Sequence, residues 1–117
     1  MTRKEIGQLG ETYALRHLEK LGYNILETNW RRRRAEIDII AKQEEILVFV
    51  EVKTRTSDLF GGPTGTITAR QQQLISSAAG DYMRQIGHDW EIRFDIIGIL
   101  IEETGDYKLE HIEDAFF

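Results

Sequence analysis

The sequence predicts an α/β fold, a central mixed β-sheet flanked by helices in the order α-β-β-β-α-β-β. Three observations carry this reading. Two segments open with a capping box and keep helical apolar spacing, five are rich in β-branched and aromatic residues, and one of those five is apolar on both faces. A strand covered on both sides needs a layer above and a layer below, and two helices are available to supply them.

The first helix begins at Thr2, whose capping-box partner is Glu5, and runs to about Leu21 with Ile6, Leu9, Tyr13, Ala14 and Leu21 on one stripe. Gly22-Tyr23 ends it. Tyr23 to Trp30 reads as the first strand, and Arg31-Arg32-Arg33-Arg34 as the turn after it. Glu36–Ala41 and Ile46–Lys53 are two strands of a hairpin separated by the polar Lys42-Gln43-Glu44-Glu45. The second of them is apolar on both faces apart from Glu51 and Lys53, so it belongs in the middle of the sheet.

Ser57 to Gly65 holds the only proline, Pro63, beside Gly61, Gly62 and Gly65, and reads as a surface loop able to meet a ligand. Thr68 and Gln71 form a second capping box. Leu74, Ile75, Ala78, Ala79, Tyr82, Met83 and Ile86 then keep helical spacing until Gly87. Trp90–Ile101 is a long strand, and Tyr107–Ile112 a last one after the Gly105-Asp106 turn.

At 117 residues the chain fits one domain, residues 1–117, able to bury roughly two-thirds of its unfolded surface. The absence of cysteine excludes disulfides, thiolate metal sites and a cysteine nucleophile, and permits a reducing compartment. His17, His88 and His111 are far apart in sequence and suggest no ligand pair. No apolar run resembles a signal core or a membrane span, so the expectation is a cytoplasmic protein with no membrane contact. No Gly-Lys-Ser/Thr follows the glycines at 61, 62 and 65, which excludes a P-loop and with it a nucleoside triphosphate site. Ser57, Ser76 and Ser77 lack an evident histidine base, so a serine hydrolase finds little support. The net charge of −5 counts against a uniformly basic surface, yet the charge is unevenly spread. Arg31 to Arg34, Lys53 and Arg55 are basic, whereas Glu102, Glu103, Asp106, Glu110, Glu113 and Asp114 crowd the last stretch.

Chemistry is concentrated on the hairpin. Because side chains alternate across a strand, Glu36 and Asp38 share one face of its first strand, and Glu51, Lys53 and Arg55 one face of its second. A Gln43-Glu44 loop sets Asp38 across from Phe49 and diagonal to Glu51; a longer loop sets Asp38 directly opposite Glu51. Either register brings the two acids within reach of one ion. Two ionised carboxylates about 5 Å apart repel by roughly 3 kcal/mol at an effective dielectric near 20, so a proton or cation is expected between them. Carboxylate oxygens suit Mg2+ or Mn2+, which keep open positions when they bind phosphate substrates. Lys53 adds an ammonium on the same face, placed to orient a nucleophile or stabilise a phosphoryl transition state. The competing reading, a surface salt bridge between Glu51 and Lys53, fits poorly with Leu47 and Phe49 on their face. Arg31 to Arg34 lead directly into this region and are suited to tracking a phosphate backbone, with a solvated turn as the bland alternative. Trp30 has the shape to stack on a base, but a packing role suits it better.

Glu36-Ile37-Asp38 followed by Val50-Glu51-Val52-Lys53 and Arg55 resembles the split motif of the PD-(D/E)xK nuclease superfamily. The wider pattern is similar to the bacterial YraN-like family, whose members resemble Holliday junction resolvases. It comprises Gly7, Gly10-Glu11 and Ala14, Gly22-Tyr23, Asn29, the two acid motifs, Gly61 and Arg93-Phe94-Asp95. The resemblance implies a restriction-endonuclease-like fold, Asp38 and Glu51 as metal ligands, Lys53 as the catalytic lysine and Glu11 as an accessory helical acid, with Glu36 beside them. It further implies metal-dependent cleavage of DNA at branched structures, and a homodimer, since junction resolvases pair two active sites. Two positions depart from the pattern: Ala35 where glycine is expected, and Gln71 where a basic residue is common. Neither removes a proposed ligand. Rival classes are a module that binds DNA or protein without cutting, and an acidic interaction protein with structural carboxylates.

Overall fold

The computed structural model describes residues 1–56 and 67–116. The expected loop around Gly61 and Pro63, and Phe117, lie outside them. The elements are helix α1 (Arg3–Lys20), strands β1 (Asn24–Arg32), β2 (Ala35–Gln43) and β3 (Ile46–Thr56), helix α2 (Ala69–Ile86), and strands β4 (Ile92–Ile101) and β5 (Tyr107–Ile112). The predicted order holds. The sheet runs β1-β2-β3-β4-β5, antiparallel throughout except for the parallel pair β3–β4, which α2 connects. None of the described helices is long and apolar enough to cross a membrane.

Both capping boxes form. Thr2 Oγ1 accepts the Glu5 N–H at 3.1 Å while Glu5 accepts the Thr2 N–H at 2.8 Å, and Thr68 and Gln71 repeat the arrangement. The expected stripe of α1 differs at its end. The helix stops at Lys20, Leu21 is its C-cap and 56% exposed, and Leu18, one turn beyond Ala14, is the buried leucine instead. On α2, Ile75, Ala78, Ala79 and Tyr82 are buried, and Gly87 closes the helix in the left-handed conformation with φ 71°.

β3 is buried on both faces, as its composition requires. Val48 and Val50 join Ala14, Leu18, Ile39, Ala41, Ile97 and Ile99 in the core under α1. Leu47 and Phe49 join Ile37, Ile40, Ile75, Ala78, Ala79 and Tyr82 under α2. Trp30 packs edge-on to Tyr82 in the second core, which gives it the packing role. One close approach sets the height of α1 over the sheet: a Cβ added at Gly10 would come within 1.8 Å of Thr54 Oγ1 on β3. Only glycine lets the helix lie this near, and Glu11 is its next residue.

Candidate active site

The β2–β3 ladder runs from Gln43↔Ile46 to Ile39↔Val50. The turn is therefore two residues long, but it is Glu44-Glu45 rather than Gln43-Glu44, with Glu44 in the left-handed region at φ 53°. Shifting the turn by one residue, with no lengthening, carries Asp38 to the position across from Glu51. There the ladder gives way. The Val52 N–H donates to Asp38 Oδ2 at 2.8 Å, so a side-chain carboxyl receives a main-chain donor where the strands part.

β1 and β2 turn over together at this point. Ile37 faces the α2 core and Ile39 the α1 core, although residues two apart normally share a face. Across from Asp38, between Thr28↔Ile39 and Trp30↔Ile37, stands Asn29 with φ 49°. Asparagine tolerates this left-handed backbone better than most residues. The outcome is a fork in the sheet whose acids are reached from both sides. Asp38 and Glu51 line a cavity of about 470 Å3 under α1, with Arg3, Gly7, Glu11, Thr54 and Arg55. They also line one of about 280 Å3 under α2, with Arg34, Glu36 and Gln71.

Burial lifts the Asp38 carboxyl from its ordinary value near 3.8 to about 7, with repulsion from Glu51 adding to it and the Val52 N–H opposing. Burial also raises Glu51, against the pull of Lys53 and of a hydrogen bond from Asp38. The two acids titrate as a pair, with burial pushing both toward the protonated form. Glu11 is raised by burial and by Asp38, against a hydrogen bond from Asn29. Asn29 thus holds the helical acid toward the fork, a role that its place in the motif did not reveal.

Glu36, on the Asp38 face by strand alternation, stands beside the acid pair rather than in it. Asp38 and Glu51 touch, whereas Arg31 holds Glu36 at 2.8 Å in an ion pair on the α2 side. Among the described residues no three His, Cys, Asp or Glu side chains form a closed cation cage. Two hard carboxylates beside open cavities suit an ion that keeps several of its own waters, as magnesium and manganese do, so this donor set fits them. Lys53 follows Glu51 on β3, and its charge is the largest influence drawing Glu51 back toward ionisation.

The arginine block is not wholly a turn. Arg31 and Arg32 extend β1, pairing with Glu36 and Ala35, and only Arg33-Arg34 make the turn, Arg33 at φ 56°. Arg32 is held by Asp81 of α2 at 3.3 Å, and Asp81 also binds Arg84. Arg33 and Arg34 have no ion pair among the described residues, and Arg34 borders the acids. Arg55 and Arg3 line the cavity under α1; Arg3 carried no sequence signal beyond its charge.

A second polar cluster brings together two of the histidines that lie far apart in sequence. His17 Nε2 lies 3.0 Å from His111 Nδ1, and His111 Nε2 lies 2.8 Å from Asp95 Oδ2. Arg93 grips Asp95 through Nε at 2.8 Å and Nη2 at 2.9 Å, and donates to Tyr23 at 2.7 Å. Burial acts to raise Asp95, yet its bonds from His111, Arg93 and the Asp114 N–H leave it below the usual carboxylate range.

Residues 10–99 match the model of a family described as uncharacterised protein family UPF0102. A UPF0102 protein of Flavobacterium psychrophilum is 48% identical over 113 residues, covering 97% of this chain and 94% of its own length. One of Parabacteroides distasonis is 41% identical, covering 98% and 94%, and one of Alkaliphilus oremlandii 44% identical, covering 97% and 98%. This is the YraN-like family that the split acid motif resembles.

Proposed function

The chain belongs to the UPF0102 family, and for this member we propose a divalent-metal-dependent endonuclease that hydrolyses DNA phosphodiester bonds. The observation that carries the reading is the Asp38–Glu51 pair, two buried carboxyl groups facing each other across the strands in a fork open on both faces, with burial raising both. Such a pair exchanges its proton readily for a cation. Asp38 and Glu51 would hold Mg2+ or Mn2+, which supplies Lewis acidity at the phosphoryl group and activation of water. Lys53 contributes positive charge where negative charge develops in the transition state. Arg34 under α2, and Arg3 and Arg55 under α1, offer contacts for phosphates on either side of the acids. Glu11, held by Asn29, adds an outer acid able to orient water. The likeness to junction resolvases extends the proposal to branched DNA and a homodimer.

The test is cleavage of labelled single-stranded, duplex, flap and four-way DNAs with magnesium, manganese or EDTA. Asp38→Asn lowers the rate by about 1,000-fold or more, and Lys53→Ala by about 100- to 1,000-fold. No metal-dependent cutting of any substrate by the wild type sinks the proposal. Tight, salt-sensitive binding without cutting then supports the second reading, a binding module, which the contact of only two carboxylates among the described residues favours.

A further inference from the structure

The seam between α1 and β5 assembles a second candidate centre from residues that the nuclease reading does not use. Asp95 has no exposed surface and accepts from Arg93 Nε, Arg93 Nη2 and the Asp114 N–H. A carboxylate surrounded by donors acts as an acceptor only, so the ring proton of His111 sits on Nε2, 2.8 Å away. A neutral imidazole then keeps one lone pair, on Nδ1, and Nδ1 faces His17 Nε2 at 3.0 Å. His17 lines a cavity of about 600 Å3 with Arg16, Glu19, Lys20, Tyr107 and Leu109. His17 stands at this opening and His111 behind it, its ring fixed from the far side by a buried carboxylate as in carboxylate–histidine–metal arrangements.

We propose that His17 Nε2 and His111 Nδ1 are the protein ligands of a transition-metal site for zinc, nickel or copper, with Asp95 orienting His111. Two nitrogens on a tetrahedral zinc are about 3.3 Å apart, so the pair needs to open by only a few tenths of an ångström. In the hydrogen-bonded pair His17 Nε2 is the donor, so binding a metal requires His17 to carry its proton on Nδ1 instead. Two protein donors leave the remaining positions to water or an external ligand, and the affinity is well below that of a four-ligand structural site. Imidazole selects zinc, nickel and copper while the fork's carboxylates suit magnesium and manganese, so the two centres sort ions by chemistry. A metal here ties β5 to α1, the helix that carries Glu11.

The test is calorimetric titration of the full chain with zinc chloride and with nickel chloride, using wild type, His17→Gln and the double variant Asp38→Asn/Glu51→Gln. Wild type and the double variant bind one equivalent, His17→Gln weakens binding at least about tenfold, and saturating metal raises the wild-type Tm by several degrees. In parallel, zinc shifts the imidazole nitrogen resonances of both His17 and His111. The proposal is overturned by no saturable binding, by binding that His17→Gln leaves intact, by binding lost in the double variant, or by unmoved imidazole resonances, which mark a hydrogen-bonded pair only.

Discussion

Asp95 has no exposed surface while Asp38 keeps some, yet Asp38 is the one pushed toward protonation. Both lie in the same sheet, and burial acts to raise each of them. Their neighbours decide the outcome. Asp95 is ringed by donors, two of them from the Arg93 guanidinium, whereas Asp38 has one main-chain N–H and faces Glu51. A buried carboxylate surrounded by cations and N–H groups holds a structure together; one facing another carboxylate lacks a positive partner. Loss of contact with water alone does not fix the protonation of a buried acid; its partners do.

The largest effect that would break this contrast is on stability. Asp95→Asn strands the Arg93 charge and its donors, and should cost about 3–5 kcal/mol in urea unfolding; a loss under about 1 kcal/mol would show that Asp95 anchors nothing. Asp38→Asn should move the other way. Native Asp38 keeps its proton to about pH 7 while the unfolded chain releases it near 3.8, so its contribution to stability falls as pH rises through that window and is flat above it. Asp95, with its lowered value, does the opposite: its contribution is present above its ordinary value and lost as pH falls through the native one. Melts of Asp38→Asn without divalent ions should therefore gain on wild type by a few kcal/mol at most near pH 8 and by nothing near pH 4. Magnesium should stabilise wild type near pH 8 and leave the variant unmoved. An Asp38→Asn melt that tracks wild type at both pH values would remove the contrast. The smallest effect belongs to Glu36→Gln, whose partner Arg31 is 77% exposed. It should change stability by about 0–1 kcal/mol, and a larger loss would place Glu36 inside the acid pair rather than beside it.

Much of the architecture was legible because it is written locally. Thr2-Glu5, Thr68-Gln71 and Gly87 mark helix ends within a few residues, and the doubly apolar β3 announces its central place. Misreadings began where a local pattern left a choice. Neither Glu44 nor Glu45 carries the glycine or asparagine signature of a tight turn, so the sequence alone allows two registers. Arginines in β1 look the same in sequence as arginines in a turn; Asp81 and Glu36, met only across the fold, hold two of them in the strand. His17 and His111 are 94 positions apart, and only the packing of α1 near β5 joins them. Asp38, Glu51 and Lys53 were nameable because they sit on one hairpin. The place of Arg3 and the hydrogen bond of Asn29 to Glu11 depend on how closely α1 approaches the sheet.

The Glu44-Glu45 turn constrains chain length as well as the backbone of Glu44. It lies six residues from Asp38, roughly 20 Å along an extended strand. Side chains on a strand alternate, so inserting or deleting one residue there slips the pairing by one and moves Asp38 out of line with Glu51, while every residue of the motif still reads correctly. Substitutions at 45, and at 44 by residues that tolerate its left-handed backbone, leave the register intact, but a one-residue gap at this turn keeps the letters of the acid motif without its pair.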